Sequence, residues 1–162
     1  MSIYIFSRPI KSGKTTELLE WSNMQKSIAG ILMPDINGSR KIFGIHTKEF
    51  FDAECIDPAG TTEPLTTIGR FHFYSASFEK ANSILIQAFK HNPHWLVIDE
   101  AGKLELKGEG LYPAVADAVK LYSNKHKKGN LLITVRDSLC EEVISFFSIT
   151  NCMVIDRLDA VS

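Results

Sequence analysis

Apolar positions fall along this chain in two rhythms. Short uninterrupted runs, at residues 3–6, 31–33, 95–98 and 131–135, have the length of buried strands. Between them, apolar residues return every three or four positions. Leu18, Trp21, Met24 and Ile28 predict a helix over about residues 14–27, stopped by Gly30. Phe78, Ala81, Leu85, Ala88 and Phe89 predict a second, ending near His91 and broken by Asn92-Pro93. Leu111, Val115, Ala118, Val119 and Tyr122 predict a third, stopped before Gly129. Ser138 and Glu141 have capping-box spacing and open a fourth, carrying Leu139, Val143, Phe146 and Phe147. Residues 152–155 read as the last strand.

The interval between the first two helices has a different texture. Pro34 ends the strand at 31–33, and Asn37-Gly38 is the strongest hairpin signal in the chain, with residues 41–47 as its returning strand. Residues 49–56 continue a small antiparallel meander. Residues 57–67, rich in Pro, Gly and Thr, read as a loop, and 69–74 alternates as a further strand. Three runs that are apolar throughout, alternating with helices, predict a mainly parallel sheet covered on both faces, with the antiparallel part as an insertion.

At 162 residues the chain has the length of a single domain, residues 1–162, with room for a sizeable core. A formal net charge of −1 and the lack of a basic stripe do not indicate a nucleic-acid partner. Cys55, Cys140 and Cys152 lack C-x-x-C spacing, and the five histidines are scattered, so no structural metal site or disulfide framework is expected. No signal segment or long apolar run is present, so no membrane partner is expected and a reducing cytoplasm is the expected setting. Trp95, at a strand start, reads as core.

Candidate chemistry concentrates at two strand ends. After the first strand, Ser7-Arg8-Pro9-Ile10-Lys11-Ser12-Gly13-Lys14-Thr15-Thr16 leads into the first helix. That is the strand–loop–helix context of a P-loop, where backbone N–H groups and the helix dipole favour a phosphate. Lys14 would reach the β- and γ-phosphates and the Thr15 hydroxyl would join a Mg²⁺ shell. The first glycine of G-x-x-x-x-G-K-[ST] is replaced by Arg8. After the strand at 95–98, Asp99-Glu100 supplies two carboxylates at a carboxyl end of the sheet, where open α/β folds bind ligands. Asp99 would hold Mg²⁺ directly or through its water shell, and Glu100 would orient or deprotonate an attacking water. Strand alternation sends the two carboxylates in different directions. Arg136, after the strand at 131–135, is a candidate sensor of the γ-phosphate.

The run Asp99-Glu100-Ala101-Gly102-Lys103-Leu104-Glu105-Leu106 resembles the D-E-I-G-K-M-E-L signature of the THEP-type nucleoside-triphosphatases. Pro9 with Gly13-Lys14-Thr15-Thr16 resembles that family's G-P-P-G-x-G-K-T-T loop. Gly38-Ser39-Arg40-Lys41-Ile42-Phe43-Gly44 is similar to its G-x-R-x-x-G-F region, and Gly69-Arg70-Phe71 with Phe78-Glu79 to its G-K-Y…F-E segment. The resemblance implies a P-loop NTPase sandwich that hydrolyses ATP- or GTP-type triphosphates with Mg²⁺. It implies catalytic roles for Glu100 and Lys14 and a metal held by Thr15 and Asp99, with Lys103 a further catalytic candidate from the signature. The expected phosphate cradle is Arg8, Pro9, Lys11, Ser12, Gly13, Lys14, Thr15, Thr16 and Arg136, in which Arg8 and Lys11 rest on their place in the loop and Arg136 on its strand end. Lys103 is either a stabiliser of phosphoryl charge or one half of a surface salt bridge, and spacing assigns Glu105 no role.

Two departures, Arg8 and Lys11, stand where the family carries glycines. A residue other than glycine at φ > 0 costs about 1–2 kcal/mol, so Arg8 is expected either to fold over the phosphates as a ligand, the favoured reading, or to obstruct them. Two alternatives to hydrolysis remain. The segment from Pro9 to Leu18 and Ile98-Asp99-Glu100-Ala101 are also similar to the loop and I-D-E-A-Q of zinc-containing thymidine kinases, but their paired zinc cysteines are missing here. The other alternative is a nucleotide-binding switch or adaptor with little turnover.

Overall fold

The computed structural model describes residues 2–161. Ten strands and four α-helices follow in order: β1 Ile3–Arg8, α1 Lys14–Met24, β2 Ile28–Leu32, β3 Asp35–Ile36, β4 Ser39–Gly44, β5 Phe50–Asp52, β6 Leu65–Ile68, β7 Phe71–Tyr74, α2 Ser75–Lys90, β8 Trp95–Ile98, α3 Tyr112–Tyr122, β9 Asn130–Arg136, α4 Cys140–Phe146 and β10 Cys152–Ile155. The main sheet runs β10-β1-β9-β8-β2-β4-β3, with β5 paired to β4. Its first five strands are parallel, and β3, β4 and β5 form the antiparallel insertion.

Strand periodicity divides the core into two layers. Ile3 and Ile5 of β1, Leu96 and Ile98 of β8, and Leu131, Ile133 and Val135 of β9 bury against the apolar faces of α2, α3 and α4. Phe6, Trp95, Val97 and Leu132 point the other way, against Leu18 and Trp21 of α1 and Leu158 of the C-terminal 3₁₀ turn. Trp95 is buried, with its ring 5.2 Å from Tyr4 and 5.0 Å from Trp21. The alternation continues past the strand ends. It sends Arg8, Asp99, Thr134 and Arg136 toward the α1 layer, because each follows the parity of a residue already on that side.

Several sequence expectations change. The first helix stops at Met24, three residues early, because Gln25 is extended and Ser27 O accepts from Trp95 N, drawing Ile28 into β2. Gly30 is therefore no helix stop. It lies inside β2 at φ 128°, where a Cβ would stand 2.0 Å from Val97 O. The segment expected as loop to residue 67 yields β6, whose Thr66 and Thr67 pair with Phe73 and His72 in a separate hairpin. The capping box is not formed: Asp137 takes the Ser138 amide with its own carboxylate in a 3₁₀ turn, and α4 starts at Cys140 behind Leu139. The Asn37-Gly38 turn is as expected, with both residues at positive φ, 54° and 80°, the pairing a type I′ hairpin requires.

Candidate functional site

The register of the parallel strands brings two separated stretches together. Arg8 pairs with Arg136 and Ile98 with Ile133, so the carboxyl ends of β1, β9 and β8 lie side by side, with β9 between the two strands that carry the motifs. Gly13, at φ 80°, turns the chain into α1 with its N–H groups opening toward this edge. Lys11, not Arg8, is the non-glycine residue of this loop at positive φ, 57°. Arg8 is simply the last residue of a regular strand, which corrects the expected strain there.

Lys14 is buried, contrary to what its place at a helix start suggests. Its ammonium donates to the carbonyl oxygens of Arg8 and Pro9, both at 3.1 Å, and so closes the loop on itself. Burial lowers its pKa from the ordinary lysine value, opposed by Glu100 and Asp99 and reinforced by Arg136 and Arg8. Asp99 is almost wholly buried and fully engaged. It accepts from the Thr15 hydroxyl and the Met33 amide, each at 3.0 Å, and from the Thr134 hydroxyl. Glu100, half-buried beside it, faces Arg136 at 3.4 Å. Burial pushes the Glu100 carboxyl up, and Asp99 adds to this, while Arg136, Arg40 and Lys14 pull it back.

Lys14, Thr15, Glu100 and Arg136 border a cavity of about 550 Å³, a volume in the small-molecule range; Asp99 lies behind the Thr15 hydroxyl and does not line it. Lys11, Ser12, Gly13, Lys14, Thr15 and Thr16 form its loop side, and Glu100 and Arg136 its far end. The β3–β5 insertion adds an apolar wall of Ile36, Phe43 and Phe50. Three other expected site residues stand apart from the cavity wall. Arg8 does not line the cavity: its guanidinium pairs with Glu17 at 2.8 Å and lies 5.0 Å from the Phe6 ring. Pro9 contributes only its carbonyl to Lys14. Lys103 lines a neighbouring cavity, and makes no salt bridge with any described residue.

Sequence reasoning passed over three participants. Thr134 lies inside an apolar run, and only the sheet register reveals its bond to Asp99. Arg40, which in the sequence stands out only as part of a motif, donates to Met33 O at 3.2 Å and reaches the cavity wall beside Glu100. Glu105, left without a role, is a structural staple. Its buried carboxylate accepts from the amides of Gly102 and Leu111, each at 2.8 Å, and fixes the segment that follows Glu100. Burial raises its pKa, and those amides hold it back. Asn82 of α2 secures the far end of the same segment, donating to Gly110 O and accepting from Ala114 N.

Thr15 and Asp99 offer a hydroxyl and a carboxylate, hard oxygen donors joined at 3.0 Å. This suits Mg²⁺, which keeps several waters and substrate phosphates and needs only one or two protein oxygens. Among the described residues no cluster of three or more His, Cys, Asp or Glu side chains could hold a metal by itself. No helix among them is long and apolar enough to cross a membrane.

No family model matches the sequence, and no curated protein matches it. Among solved structures, the crystal structure of THEP1 from the hyperthermophile Aquifex aeolicus superposes with a TM-score of 0.70, covering 99% of this chain and 92% of that one at 19% identity. The chain therefore shares the α/β fold of that structure, a mostly parallel sheet with helices and a small antiparallel hairpin.

Proposed function

We propose that this chain is a Mg²⁺-dependent nucleoside-triphosphatase, converting an ATP- or GTP-type triphosphate to the diphosphate and phosphate in a cytoplasmic setting. One observation carries the reading. The loop lysine, Thr15 with Asp99 hydrogen-bonded behind it, and the Glu100–Arg136 pair converge on one cavity from three different strand ends.

In this reading the polyphosphate lies along the amides of residues 11–16, and the base rests against the apolar wall of Phe43 and Phe50. Lys14 leaves the Arg8 and Pro9 carbonyls for the β- and γ-phosphates, exchanging two neutral acceptors for an anionic one. Mg²⁺ would be held by Thr15, with Asp99 behind it through that hydroxyl or a water, and would supply neutralisation of phosphate charge. Glu100 takes the proton of a water as its oxygen bonds to Pγ. The bond from Pγ to the β–γ bridging oxygen then breaks, and its electron pair leaves with the diphosphate. Arg136 is placed to meet charge on the transferred group.

The test is phosphate release from ATP and GTP with Mg²⁺ and with EDTA, alongside Lys14→Ala and Glu100→Gln. Release that needs Mg²⁺, triphosphate affinity lost in folded Lys14→Ala, and affinity kept but turnover lost in Glu100→Gln are expected. Unchanged affinity in a folded Lys14→Ala protein would exclude this cavity.

A further inference from the structure

A second cavity, of about 390 Å³, adjoins the first, and Arg40, Glu100 and Arg136 line both. The rest of its wall comes from elsewhere in the chain. Phe71 and Phe73 stand on β7 and Phe78 in the first turn of α2, opposite residues 102–105. The Phe71 and Phe73 rings stack with centroids 6.3 Å apart, and Phe73 meets Phe78 at 5.6 Å. Arg70, at the turn of the β6–β7 hairpin, holds its guanidinium 5.1 Å from the Phe71 ring. Nothing lies within 4 Å of where a Gly102 Cβ would stand, so that glycine keeps its side of the cavity open.

This wall combines aromatic faces with excess positive charge. Arg40, Arg70, Lys103 and Arg136 stand against two carboxylates, Glu100 and Glu105. Both carboxylates are engaged, Glu105 by backbone amides and Glu100 by Arg136. Arg70 and Lys103 make no salt bridge with any described residue. Phe73 and Phe78 are buried and back the wall, whereas Phe71 is exposed with the Arg70 guanidinium over its ring. A guanidinium and an ammonium without carboxylate partners beside an aromatic wall suit an anion attached to a flat heterocycle.

We propose that the second cavity binds a nucleoside monophosphate as phosphoryl acceptor, so that the group carried by the triphosphate in the first cavity passes across the shared wall. This rests on the triphosphate-binding reading above. An oxygen of the acceptor's phosphate attacks Pγ, the bond from Pγ to the β–γ bridging oxygen breaks, and its electron pair leaves with the donor diphosphate. The acceptor becomes a second diphosphate. No proton has to move, since the attacking phosphate is a dianion at neutral pH. Arg40 and Arg136 reach both cavities, where negative charge spreads over the oxygens of the group in flight. Hydrolysis through Glu100 is then the reaction left when the second cavity is empty.

The experiment supplies γ-labelled ATP or GTP and Mg²⁺ with AMP, GMP, CMP, UMP or dTMP in turn, and separates labelled diphosphate from labelled phosphate. Phe71→Ala and Arg70→Ala, which touch only the second cavity, are run beside the wild type. The expected result is labelled diphosphate with at least one monophosphate. Loss of the Arg70 charge should raise the acceptor KM by about tenfold or more, equivalent to one charge-assisted hydrogen bond, with acceptor-free hydrolysis unchanged. Label found only in phosphate, with a wild type that hydrolyses its triphosphate, overturns the acceptor site and leaves the triphosphatase reading standing. Monophosphate binding without transfer overturns it equally. A wild type that binds no triphosphate removes both readings.

Discussion

Replacing Arg8 by alanine separates two roles for the residue that stands where a P-loop glycine is expected. In the structure its side chain is turned onto α1, 2.8 Å from Glu17 and 5.0 Å from the Phe6 ring, with 23% and 33% of the Arg8 and Glu17 side chains still exposed. A pair so wetted contributes about 0.5–1 kcal/mol, and the ring contact adds about 0.5–1 kcal/mol. Against this, the Arg8 Nε–H is buried without an acceptor, and truncation relieves that cost. The net loss is therefore at most about 1 kcal/mol, which for a chain of this length lowers Tm by no more than about 4 °C.

The consequence for ligand binding is small in the same variant. The guanidinium does not line the cavity, and at physiological salt the screening length of about 8 Å leaves little of a charge that is not in contact. Triphosphate affinity should change by less than about twofold by the same screening. Thermal unfolding by circular dichroism and titration calorimetry with a non-hydrolysable Mg²⁺–triphosphate measure the two effects. A cycle with Glu17→Gln, which keeps an oxygen for the Leu158 amide, isolates the pair. Tenfold weaker binding at unchanged Tm would refute the structural role and make Arg8 a phosphate ligand after all.

Three further outcomes follow from other residues. Because Glu100 acts as a base only when ionised, and its carboxyl is pushed up by burial and Asp99, the acid limb of the kcat–pH profile should lie above the ordinary glutamate range; a limb at or below that range contradicts the assignment. Gly30→Ala places a Cβ against the Val97 backbone at a φ that L side chains rarely adopt, so it should cost about 3 kcal/mol or more, and a Tm within 2 °C of wild type by calorimetry argues against this packing. Glu105→Ala leaves the Gly102 and Leu111 amides without their acceptor, at about 1–3 kcal/mol each; hydrogen exchange at residues 102–111 should accelerate, and unchanged protection there would show that the carboxylate is not the staple.

The sequence by itself determined the apolar strands of the parallel sheet, the order of the main elements and the two ends where chemistry gathers. Uninterrupted apolar runs mark strands covered on both faces, and Asn37-Gly38 names its own turn, because these properties depend on a residue and its near neighbours. Parity is local as well, so the divergence of Asp99 and Glu100 was legible, whereas which face meets the loop was not, because residues 95–98 are apolar on both sides. What depends on distant partners was not. Gly30 reads as a helix stop until Val97 is seen across the strand, and Thr134 reads as core until the register sets it against Asp99. Arg8 reads as a phosphate ligand because the loop attracts anions, yet Glu17, one helical turn beyond the loop, competes for the same guanidinium at closer range. Only the tertiary structure decides such competitions. Hydrogen bonds and ion pairs act over a few ångströms, and the distances that rank them are set by strands that come together from opposite ends of the chain.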